Sequence, residues 1–485
     1  MKVLHVATEM APLSKAGGLG DVVGSLPKAL KKLNIDVRVI TPAWPGVLER
    51  ANKKGEKLTR LPAQLHAALK WQVYSGKIWK AVIDGVPVFI LENPNLFEGI
   101  PIYPHEMTSD SVLPFAFLSF AALELEKRTR WIPDIIHCHD WPSALVPIAL
   151  SWHKYYRNKT LQPATLFTIH NVAHQGILPF HVLDEWGIGD EAFTIYGLEY
   201  FGHVNLLKGA IITSDLVTTV SPRYAEEIQT RAMGYGLDGV LRENHFKLHG
   251  VLNGIDEQWS PTCDHIIPSL YSSENLEGKK ECRSALLNQI GWREEHSPLL
   301  LSISRITLQK GYDILLPALP ELLKLGFRCI FIGSGNPDFE MHLHKTAKDY
   351  PDHVVFFNGF HEEFSHTAYA GSDMLLMPSL YEPCGLAQLI ALRYGTVPIV
   401  REIGGLADTI KDADHDKEGY GFTFETYTAS SLFETAQRAF NAFRDRKRWE
   451  EIVKRGMGQD FSWNASSLHY KKIYESALMN KKKGR

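Results

Sequence analysis

The sequence predicts an α/β protein with two doubly wound parallel-sheet domains. Short apolar segments, each long enough for one buried strand, alternate with helical segments in the first half, and the pattern starts again in the second half. Nearly every apolar segment is followed by glycine or a polar residue, as expected where parallel strands bring ligand-binding groups to one sheet edge. A chain of 485 residues is also too long for a single hydrophobic core.

The first half contains the predicted strands of an N-terminal domain. Segments Trp79–Ile83 and Val86–Leu91 flank Asp84-Gly85, which is a strong hairpin signal, and a helical segment covers about residues 111–127. The other predicted strands are residues 2–8, 36–40, 135–140, 165–171 and 216–220. Strands that alternate with helices favour a parallel sheet with helices on both faces.

The second half repeats this design after a polar, turn-rich stretch at about residues 253–297. Its predicted strands are Leu299–Ile303, Arg328–Ile332, Val354–Phe357, Met374–Met377 and Val397–Val400. We therefore expect an N-terminal domain of residues 1–250 and a C-terminal domain of residues 251–460. Two such domains facing each other would place a cleft between their strand ends.

Composition and charge exclude several classes of function. Lys+Arg 52 and Asp+Glu 55 give a net charge of −3, which predicts no nucleic-acid or membrane partner. No apolar segment approaches the roughly 20 residues of a membrane span, and the N-terminus has no signal-peptide pattern. The five cysteines include no CxxC pair, so we expect neither disulfides nor zinc. These features predict a cytoplasmic protein.

The segment Lys15-Ala-Gly-Gly-Leu-Gly-Asp21 places a cation, three glycines and a carboxylate where the first strand leads into a helix. Glycines allow a ligand to approach the backbone, and a helix N-terminus favours an anion. The segment therefore predicts a loop for a phosphorylated or highly hydroxylated ligand. A dinucleotide site is the less favoured reading, because the second strand ends in Thr41-Pro42 without the usual acid. Glycines that only make a turn are a further alternative.

Two cations follow the first strand of the second half. Arg305 and Lys310 lie between this strand and a helix that begins near Gly311, and such a pair is suited to a diphosphate, both as a bound group and as a leaving group. Glu382 follows the strand Met374–Met377 and could accept hydrogen bonds from sugar hydroxyls or stabilise a developing cation. Solvated cations and a Glu that complements a helix dipole are the alternatives.

The remaining motifs are individually weak. Gly404-Gly405 could bind phosphate through backbone N–H groups. His139 and Asp140 could act together as a catalytic base. They could also bind a metal, although no third ligand has a recognisable spacing. His170-Asn171 and Asn253 suit hydroxyl recognition but also loop capping. Cys384 is better interpreted as a packing residue than as a reactive thiol.

Taken in order, these motifs resemble those of bacterial glycogen synthases and plant starch synthases over nearly the whole chain. The matching segments begin at Lys15 (KAGGLGD), His139 (HDW), His170 (HN), Gln175 (QG), Tyr235 (YGLDG), Val251 (VLNGID), Ser304 (SRITLQKG), Glu382 (EPCGL) and Gly404 (GGLADT).

The resemblance implies the GT-B fold, in which two Rossmann-like domains face each other across a cleft. It implies transfer of glucose from ADP-glucose to the non-reducing end of an α-1,4-glucan such as glycogen or a malto-oligosaccharide, with retention of configuration. No metal or other cofactor is expected. The family's last helix crosses back to the first domain, so residues 461–477 are expected to pack there.

The resemblance also assigns roles to residues. The expected catalytic residues are Glu382, His170, Asp140, Arg305 and Lys310. The expected substrate-binding residues are Lys15, Gly17, Gly18, Asp21, Asn171, Asn253, Cys384, Gly385, Gly404 and Gly405.

Five positions depart from the usual family pattern: Pro114, Pro142, His174, Leu380 and Ile403. A proline at position 114 would kink its helix unless it lies in the first turn. Two alternatives remain at this level. One is another GT-B nucleotide-sugar enzyme, with UDP-glucose as donor or with an epimerase-like reaction. The other is a weakly active, glucan-binding regulatory homologue.

Overall fold

The computed structural model describes residues 1–54, 56–158, 162–359 and 361–483. The chain forms two compact units: unit 1 is Met1–Asn253 together with the segment from Trp463 onward, and unit 2 is Gly254–Ser462. The sequence analysis placed the corresponding boundary after residue 250. None of the helices in the described part of the chain combines the length and the apolar character needed to cross a membrane.

Within its described residues, unit 1 contains twelve strands. In chain order they are β1 (Lys2–Val6), β2 (Asp36–Pro42), β3 (Glu56–Leu69), β4 (Gln72–Ile83), β5 (Val86–Glu92), β6 (Ile135–His139), β7 (Ala164–Ile169), β8 (Ile177–Leu178), β9 (Glu199–Tyr200), β10 (His203–Asn205), β11 (Leu216–Thr219) and β12 (Leu248–Gly250). Its helices before the crossing to unit 2 are α1 (Gly18–Lys32), α2 (Val47–Lys54), α3 (Pro94–Phe97), α4 (Leu113–Thr129), α5 (Leu145–Trp152), α6 (Val182–Glu185), α7 (Leu206–Thr213), α8 (Pro222–Glu227) and α9 (Asp238–Glu243).

The main sheet of unit 1 has nine strands in the order β12-β11-β7-β6-β1-β2-β5-β4-β3. The strands from β12 to β5 are parallel. At the other edge, β4 pairs antiparallel with both β5 and β3. The chain order reverses between β1 and β6. Loops after these two strands therefore lie at the topological switch point, where α/β sheets bind ligands.

The predicted strands and the hairpin at Asp84-Gly85 are confirmed, with both turn residues at positive φ. Strand β3 was missed because Pro62 and its polar neighbours break the alternating pattern. Its pairing with β4 is irregular between Arg60 and Gln64, around this proline, which is tolerated because β3 is an edge strand. Pro114 lies in the first turn of α4, where proline fits without a kink.

The described part of unit 2 has six parallel strands and eight α-helices. The strands are β13 (Leu299–Ile303), β14 (Arg328–Gly333), β15 (Val354–Asn358), β16 (Met374–Met377), β17 (Val397–Arg401) and β18 (Phe422–Phe424). The helices are α10 (Glu277–Ile290), α11 (Tyr312–Leu325), α12 (Pro337–Asp349), α13 (Glu362–Gly371), α14 (Ala387–Arg393), α15 (Gly404–Thr409), α16 (Ala429–Arg444) and α17 (Arg446–Met457).

The sheet order of unit 2, β15-β14-β13-β16-β17-β18, is that of a doubly wound Rossmann-like sheet. Successive residues of each strand enter opposite cores, since Leu299 and Leu301 belong to one apolar cluster and Leu300 to the other. Burial on both faces explains why the strands are continuous apolar segments in the sequence. The switch point lies between β13 and β16, the strands that precede Arg305 and Glu382.

The last helix, α18 (Trp463–Lys483), belongs to unit 1. Its residues Trp463, Tyr470 and Tyr474 are buried in an apolar cluster with Val22 and Leu26 of α1. The C-terminal end of the chain therefore contributes to the core that supports the first glycine segment.

Candidate functional site

The glycine segment of unit 1 lies at the start of α1. Gly17 is the N-cap of this helix, so the predicted loop is in part the first turn of the helix. A Cβ atom built on Gly17 or Gly18 would have no atom within 4 Å, and Gly17 has an extended backbone that any residue can adopt. Neither packing nor conformation requires glycine at these two positions. Access of a ligand to the backbone is the remaining physical reason, and it favours the binding interpretation over a simple turn.

Gly20 of the segment and Gly24, further along α1, have a packing role. A Cβ on Gly20 would lie 3.2 Å from a carboxylate oxygen of Glu9, and a Cβ on Gly24 would lie 2.6 Å from the carbonyl oxygen of Ala11. The glycines therefore divide into an exposed pair and a packed pair.

Glu9 organises this segment, and the sequence analysis missed it. This buried carboxylate accepts hydrogen bonds from the backbone N–H groups of Ala16 and Gly17, the latter at 2.9 Å, and from the hydroxyl of Tyr103. The protein's own anion thus occupies amides that were predicted to hold a ligand phosphate. An acidic residue within three residues of a buried strand end is the sequence signal that could have identified it.

The cation of the segment is paired. Lys15 Nζ lies 2.7 Å from Asp21 Oδ1, and both side chains are partly exposed. Exposed ion pairs contribute about 0–1 kcal/mol. An anionic ligand can therefore displace Asp21 from Lys15 at small cost.

Asp140 follows β6 in an unusual backbone conformation. Its φ of 56° and ψ of 177° lie in a region that side-chain-bearing residues rarely adopt, at a cost of about 1–3 kcal/mol. The conformation aims the carboxylate at the next strand end, where Oδ1 accepts a 2.7 Å hydrogen bond from the backbone N–H of His170. Burial raises the pKa of Asp140 to about 7, and the nearby charge of Glu9 acts in the same direction.

His170 and Asn171 follow β7, directly beside Asp140. Burial lowers the pKa of His170 to about 3, so its imidazole is neutral at physiological pH. Its Nε2 lies 3.1 Å from Nδ1 of His139. The side-chain oxygen of Asn171 caps the turn by accepting from the N–H of Ala173. The structure thus brings Asp140, His170 and Asn171 together at the edge predicted for them.

His5, His137 and His139 form a buried trio with ring nitrogens close enough to share a metal ion. Their nitrogens hydrogen-bond within the protein instead: His5 Nδ1 contacts His139 Nε2 at 3.0 Å, and His137 contacts Tyr474 and Thr168 at 2.8 and 2.6 Å. A metal would have to break this network. These residues therefore fit a hydrogen-bonded chain better than a metal centre.

Unit 2 places a close ion pair at its own switch point. Lys310 Nζ lies 2.5 Å from Glu382 Oε2, and Ser379 donates a 3.0 Å hydrogen bond to the same oxygen. Glu382 is only 5% exposed. Gly311, at φ 80°, makes this approach possible, because a Cβ there would lie 2.0 Å from the carbonyl oxygen of Pro378.

Arg305 is the exposed cation of this site. Its guanidinium donates to Gln309 Oε1 at 2.9 Å, and within the described residues no carboxylate pairs with it. A second arginine, Arg401, anchors the segment before Glu382 by donating to the carbonyl oxygen of Leu380 at 2.6 Å. The sequence analysis assigned no role to Arg401.

The second diglycine lies beside the Glu382 segment. The N–H of Gly405 donates to the carbonyl oxygen of Glu382 at 3.0 Å, so this amide is not available to a phosphate. A Cβ on Gly405 would lie 2.1 Å from the carbonyl oxygen of Cys384. Gly405 therefore packs against the Glu382 segment and fixes it, and phosphate binding by this loop stays a prediction. Cys384 is buried, and Gly385 makes the turn that follows it at φ 75°.

Asn253 is buried, and its side-chain oxygen has no hydrogen-bond partner among the described residues. A buried polar atom without a partner is costly and often marks a ligand position.

Of the departures from the family pattern, Pro142 and Ile403 are buried, whereas His174 is exposed and Leu380 is half-buried.

Residues 2–243 match the family model described as starch synthase catalytic domain, and residues 288–455 match that of glycosyl transferases group 1. Together with the two Rossmann-like units, these matches identify a glycosyltransferase of the GT-B class. The chain is 43% identical to a glycogen synthase of Geotalea daltonii over 100% of both chains. It is 40% identical to one of Bacillus cereus over 99% of this chain and 100% of the relative.

A solved structure shows the same fold. The catalytic domain of starch synthase IV from Arabidopsis thaliana, bound to ADP and acarbose, superposes with a TM-score of 0.92 at 35% identity, covering 99% of each chain. The chain therefore belongs to the glycogen synthase and starch synthase family, and it is a hexosyltransferase.

Proposed function

We propose that the protein is a glycogen synthase that transfers glucose from ADP-glucose to the non-reducing end of an α-1,4-glucan with retention of configuration. The observation that carries this proposal is the cluster of Arg305, Lys310 and Glu382 at the switch point of unit 2. The full-length relatives named glycogen synthase support the reaction. The neighbour that was bound to ADP supports an adenine nucleotide as donor.

The cations of unit 2 would bind the diphosphate. Arg305 offers guanidinium N–H groups with no carboxylate partner among the described residues, so a phosphate gains a charge-assisted hydrogen bond there without breaking an ion pair. Positive charge held in place before the reaction also stabilises the diphosphate as it leaves. We therefore propose that the reaction needs no cofactor, since these side chains supply the charge.

Glu382 would exchange its partner when the donor binds. Without donor, its carboxylate neutralises Lys310 at 2.5 Å. A diphosphate competes for Lys310 and leaves the carboxylate available to the hydroxyls of the glucosyl group. Arg401 and Gly405 hold the Glu382 segment on both sides, so the carboxylate keeps its position during this exchange.

The polar strand ends of unit 1 are suited to sugar hydroxyls. His170 is neutral and can hydrogen-bond to a sugar hydroxyl without attracting the diphosphate. Asp140 contacts the same segment from the neighbouring strand. The exposed backbone of Gly17 and Gly18, with Lys15, would contact the donor.

None of the five cysteines forms a disulfide, which supports a reducing compartment such as the cytoplasm.

The test is incorporation of labelled glucose into glycogen from ADP-glucose and, in parallel, from UDP-glucose, each with and without glycogen. We expect incorporation that requires glycogen and is faster from ADP-glucose. Faster incorporation from UDP-glucose would contradict the donor assignment. Conversion of donor without glycogen would support an epimerase-like enzyme. Glycogen binding without any turnover would support a regulatory protein.

A further inference from the structure

A continuous chain of hydrogen bonds runs through the core of unit 1 and ends at His170. The contacts are His170 Nε2 to His139 Nδ1 (3.1 Å), His139 Nε2 to His5 Nδ1 (3.0 Å), His5 Nε2 to the Tyr474 hydroxyl (3.3 Å), that hydroxyl to His137 Nδ1 (2.8 Å), His137 Nε2 to Thr168 Oγ1 (2.6 Å) and Thr168 Oγ1 to Thr218 Oγ1 (2.6 Å). We call this set the histidine chain. Apart from the half-buried His170, its members are fully buried.

The members come from distant parts of the sequence. His5 is on β1, His137 and His139 are on β6, and Tyr474 is on the C-terminal helix α18. Buried polar groups can stabilise a fold without lining its reaction site. Here, however, one end of the chain is a predicted catalytic residue, which gives the network a possible effect on the reaction.

If each hydroxyl of the chain also donates within it, the chain has only two consistent arrangements of its protons. A neutral imidazole has one N–H group and one acceptor nitrogen, and a hydroxyl donates one hydrogen bond. If His170 donates from Nε2, every later member must donate in the same direction. If His139 donates to His170 instead, every bond is reversed. Burial favours neutral imidazoles here, because it lowers the pKa of His5, His137 and His139.

The direction decides what His170 presents to a substrate. Among the described residues, no protein group hydrogen-bonds to Nδ1 of His170, so this nitrogen is the one available to a ligand. Nδ1 is an acceptor when Nε2 carries the proton, and a donor when it does not. A hydroxyl near His170 therefore meets a different partner in each arrangement.

We propose that Tyr474, His5 and His139 are positioning residues that act through His170, because the histidine chain sets which tautomer His170 presents to the glucosyl group. This role rests on the proposed function, in which His170 contacts that group. It extends the reaction centre to a side chain of the last helix, more than 300 residues further along the sequence.

Charged and titratable groups around the chain are part of the same environment. They are Glu9 and Tyr103 beside Asp140, Asp140 itself against the His170 backbone, and Tyr470 against the ring of His137. None of these groups belongs to the histidine chain. A substitution of a chain member therefore leaves the surrounding charges unchanged.

The chain offers a matched pair of variants. Tyr474→Phe removes one hydroxyl from the middle of the chain. Tyr470→Phe makes the same change one helical turn earlier, at an equally buried side chain that is outside the chain. The primary measurement is the pair of side-chain ¹⁵N shifts of His170 in histidine-labelled protein, assigned with His170→Gln.

We expect Tyr474→Phe to alter the tautomer ratio of His170, and Tyr470→Phe to leave it unchanged. We also expect Tyr474→Phe to lower kcat roughly 3- to 30-fold while KM for the donor stays within about 2-fold, since this is the size of effect expected when a single buried hydrogen bond is lost. His139→Asn, which keeps an amide near the position of Nδ1, should retain more activity than His139→Phe.

Identical His170 shifts in wild type and Tyr474→Phe would overturn the proposal, as would equal effects of Tyr474→Phe and Tyr470→Phe on kcat. The NMR measurement needs no turnover. If the wild type transfers no glucose, the proposed function fails, and the histidine shifts still decide whether the chain sets the tautomer.

Discussion

The two units place polar groups at the switch point of a parallel sheet in different ways. Unit 2 uses opposite charges: Lys310 and Glu382 neutralise each other, and Arg401 holds the connecting segment. Unit 1 uses neutral groups: the buried histidine chain supports His170, and Asp140 is held by a backbone N–H group. Similar sheet topology can thus support a charged site for a leaving diphosphate and a neutral site for hydroxyl groups.

This difference also separates the effects of pH on the two sites. The pair in unit 2 is an ion pair between a lysine and a glutamate. Burial disfavours the charged forms of the titratable groups at the site of unit 1. Charging one of these groups therefore destabilises the folded state of this unit. The comparison can therefore be tested through stability as well as activity.

The largest expected effect is loss of stability of unit 1 in acid. The pKa values of His5 and His170 are lowered to about 3 in the folded protein, and those of His137 and His139 are also well below 6.5. Below pH 6.5 the unfolded chain binds protons that the folded chain does not, so stability falls as pH decreases from about 6.5 toward 3. Each such proton contributes about 1.4 kcal/mol per pH unit. Asp140 partly offsets this loss. Because its pKa is raised to about 7, the folded chain binds one proton that the unfolded chain does not bind until the pH is lower.

Hydrogen exchange by mass spectrometry, corrected for intrinsic exchange rates, measures this effect. We expect peptides of β1, β6 and β7 to lose protection between pH 7 and pH 5 before peptides of β13 and β14. The exposed His415→Gln variant should leave the difference unchanged. Equal loss of protection in both units would contradict the comparison.

Asp140→Asn is expected to have the next largest effect. The folded pKa of about 7 is above the ordinary value of 3.8, so ionisation of Asp140 opposes folding as pH rises from about 4 to 7. The amide can still accept from His170 and carries no charge. We expect the variant to gain stability at pH 8, by at most about 4 kcal/mol, and to show no difference at pH 4.

Urea unfolding of unit 1 at the two pH values measures this gain. Asp110→Asn, at a highly exposed side chain, is the control and should change stability at neither pH. A variant less stable than wild type at pH 8 would show that the charge of Asp140 stabilises the fold. We also expect glucosyl transfer to fall in Asp140→Asn, which would separate the requirements of function from those of stability.

Substitutions at the glycines of α1 are expected to have a smaller effect. At one glycine the effect is on stability, and at the other it is on donor binding. Gly24→Ala places a methyl group 2.6 Å from the carbonyl oxygen of Ala11, so we expect a loss of about 1–3 kcal/mol. Gly18→Ala places the methyl group in open space at a helix start and should change stability by less than about 1 kcal/mol. Thermal unfolding and KM for ADP-glucose, measured on both variants, separate the two roles.

We expect Gly18→Ala to raise KM with little change in Tm. A normal KM in that variant would mean that the exposed glycine backbone does not contact the donor.

The sequence predicted most strands of both sheets and the strand ends that carry polar residues, because parallel strands buried on both faces are continuous apolar segments. It did not predict the three-residue edge strands β12 and β18. It could not predict β3, where Pro62 interrupts the pattern at a sheet edge. It also missed the roles of Glu9 and Tyr474, because their partners are distant in sequence or are backbone amides. Gly405 carried a motif, but only the structure shows that its amide donates to Glu382.

We propose that the Lys310–Glu382 pair is the catalytic centre of the glucosyltransferase. The most direct test compares initial rates of transfer from ADP-glucose to glycogen for wild type, Glu382→Gln and Glu321→Gln. Glu321 pairs with Lys324 at 2.6 Å in the same unit, but both side chains are exposed, so it controls for loss of an ion pair alone. We predict that Glu382→Gln lowers kcat by about 100-fold or more while it remains folded, and that Glu321→Gln matches wild type. Transfer at the wild-type rate by folded Glu382→Gln would contradict the account.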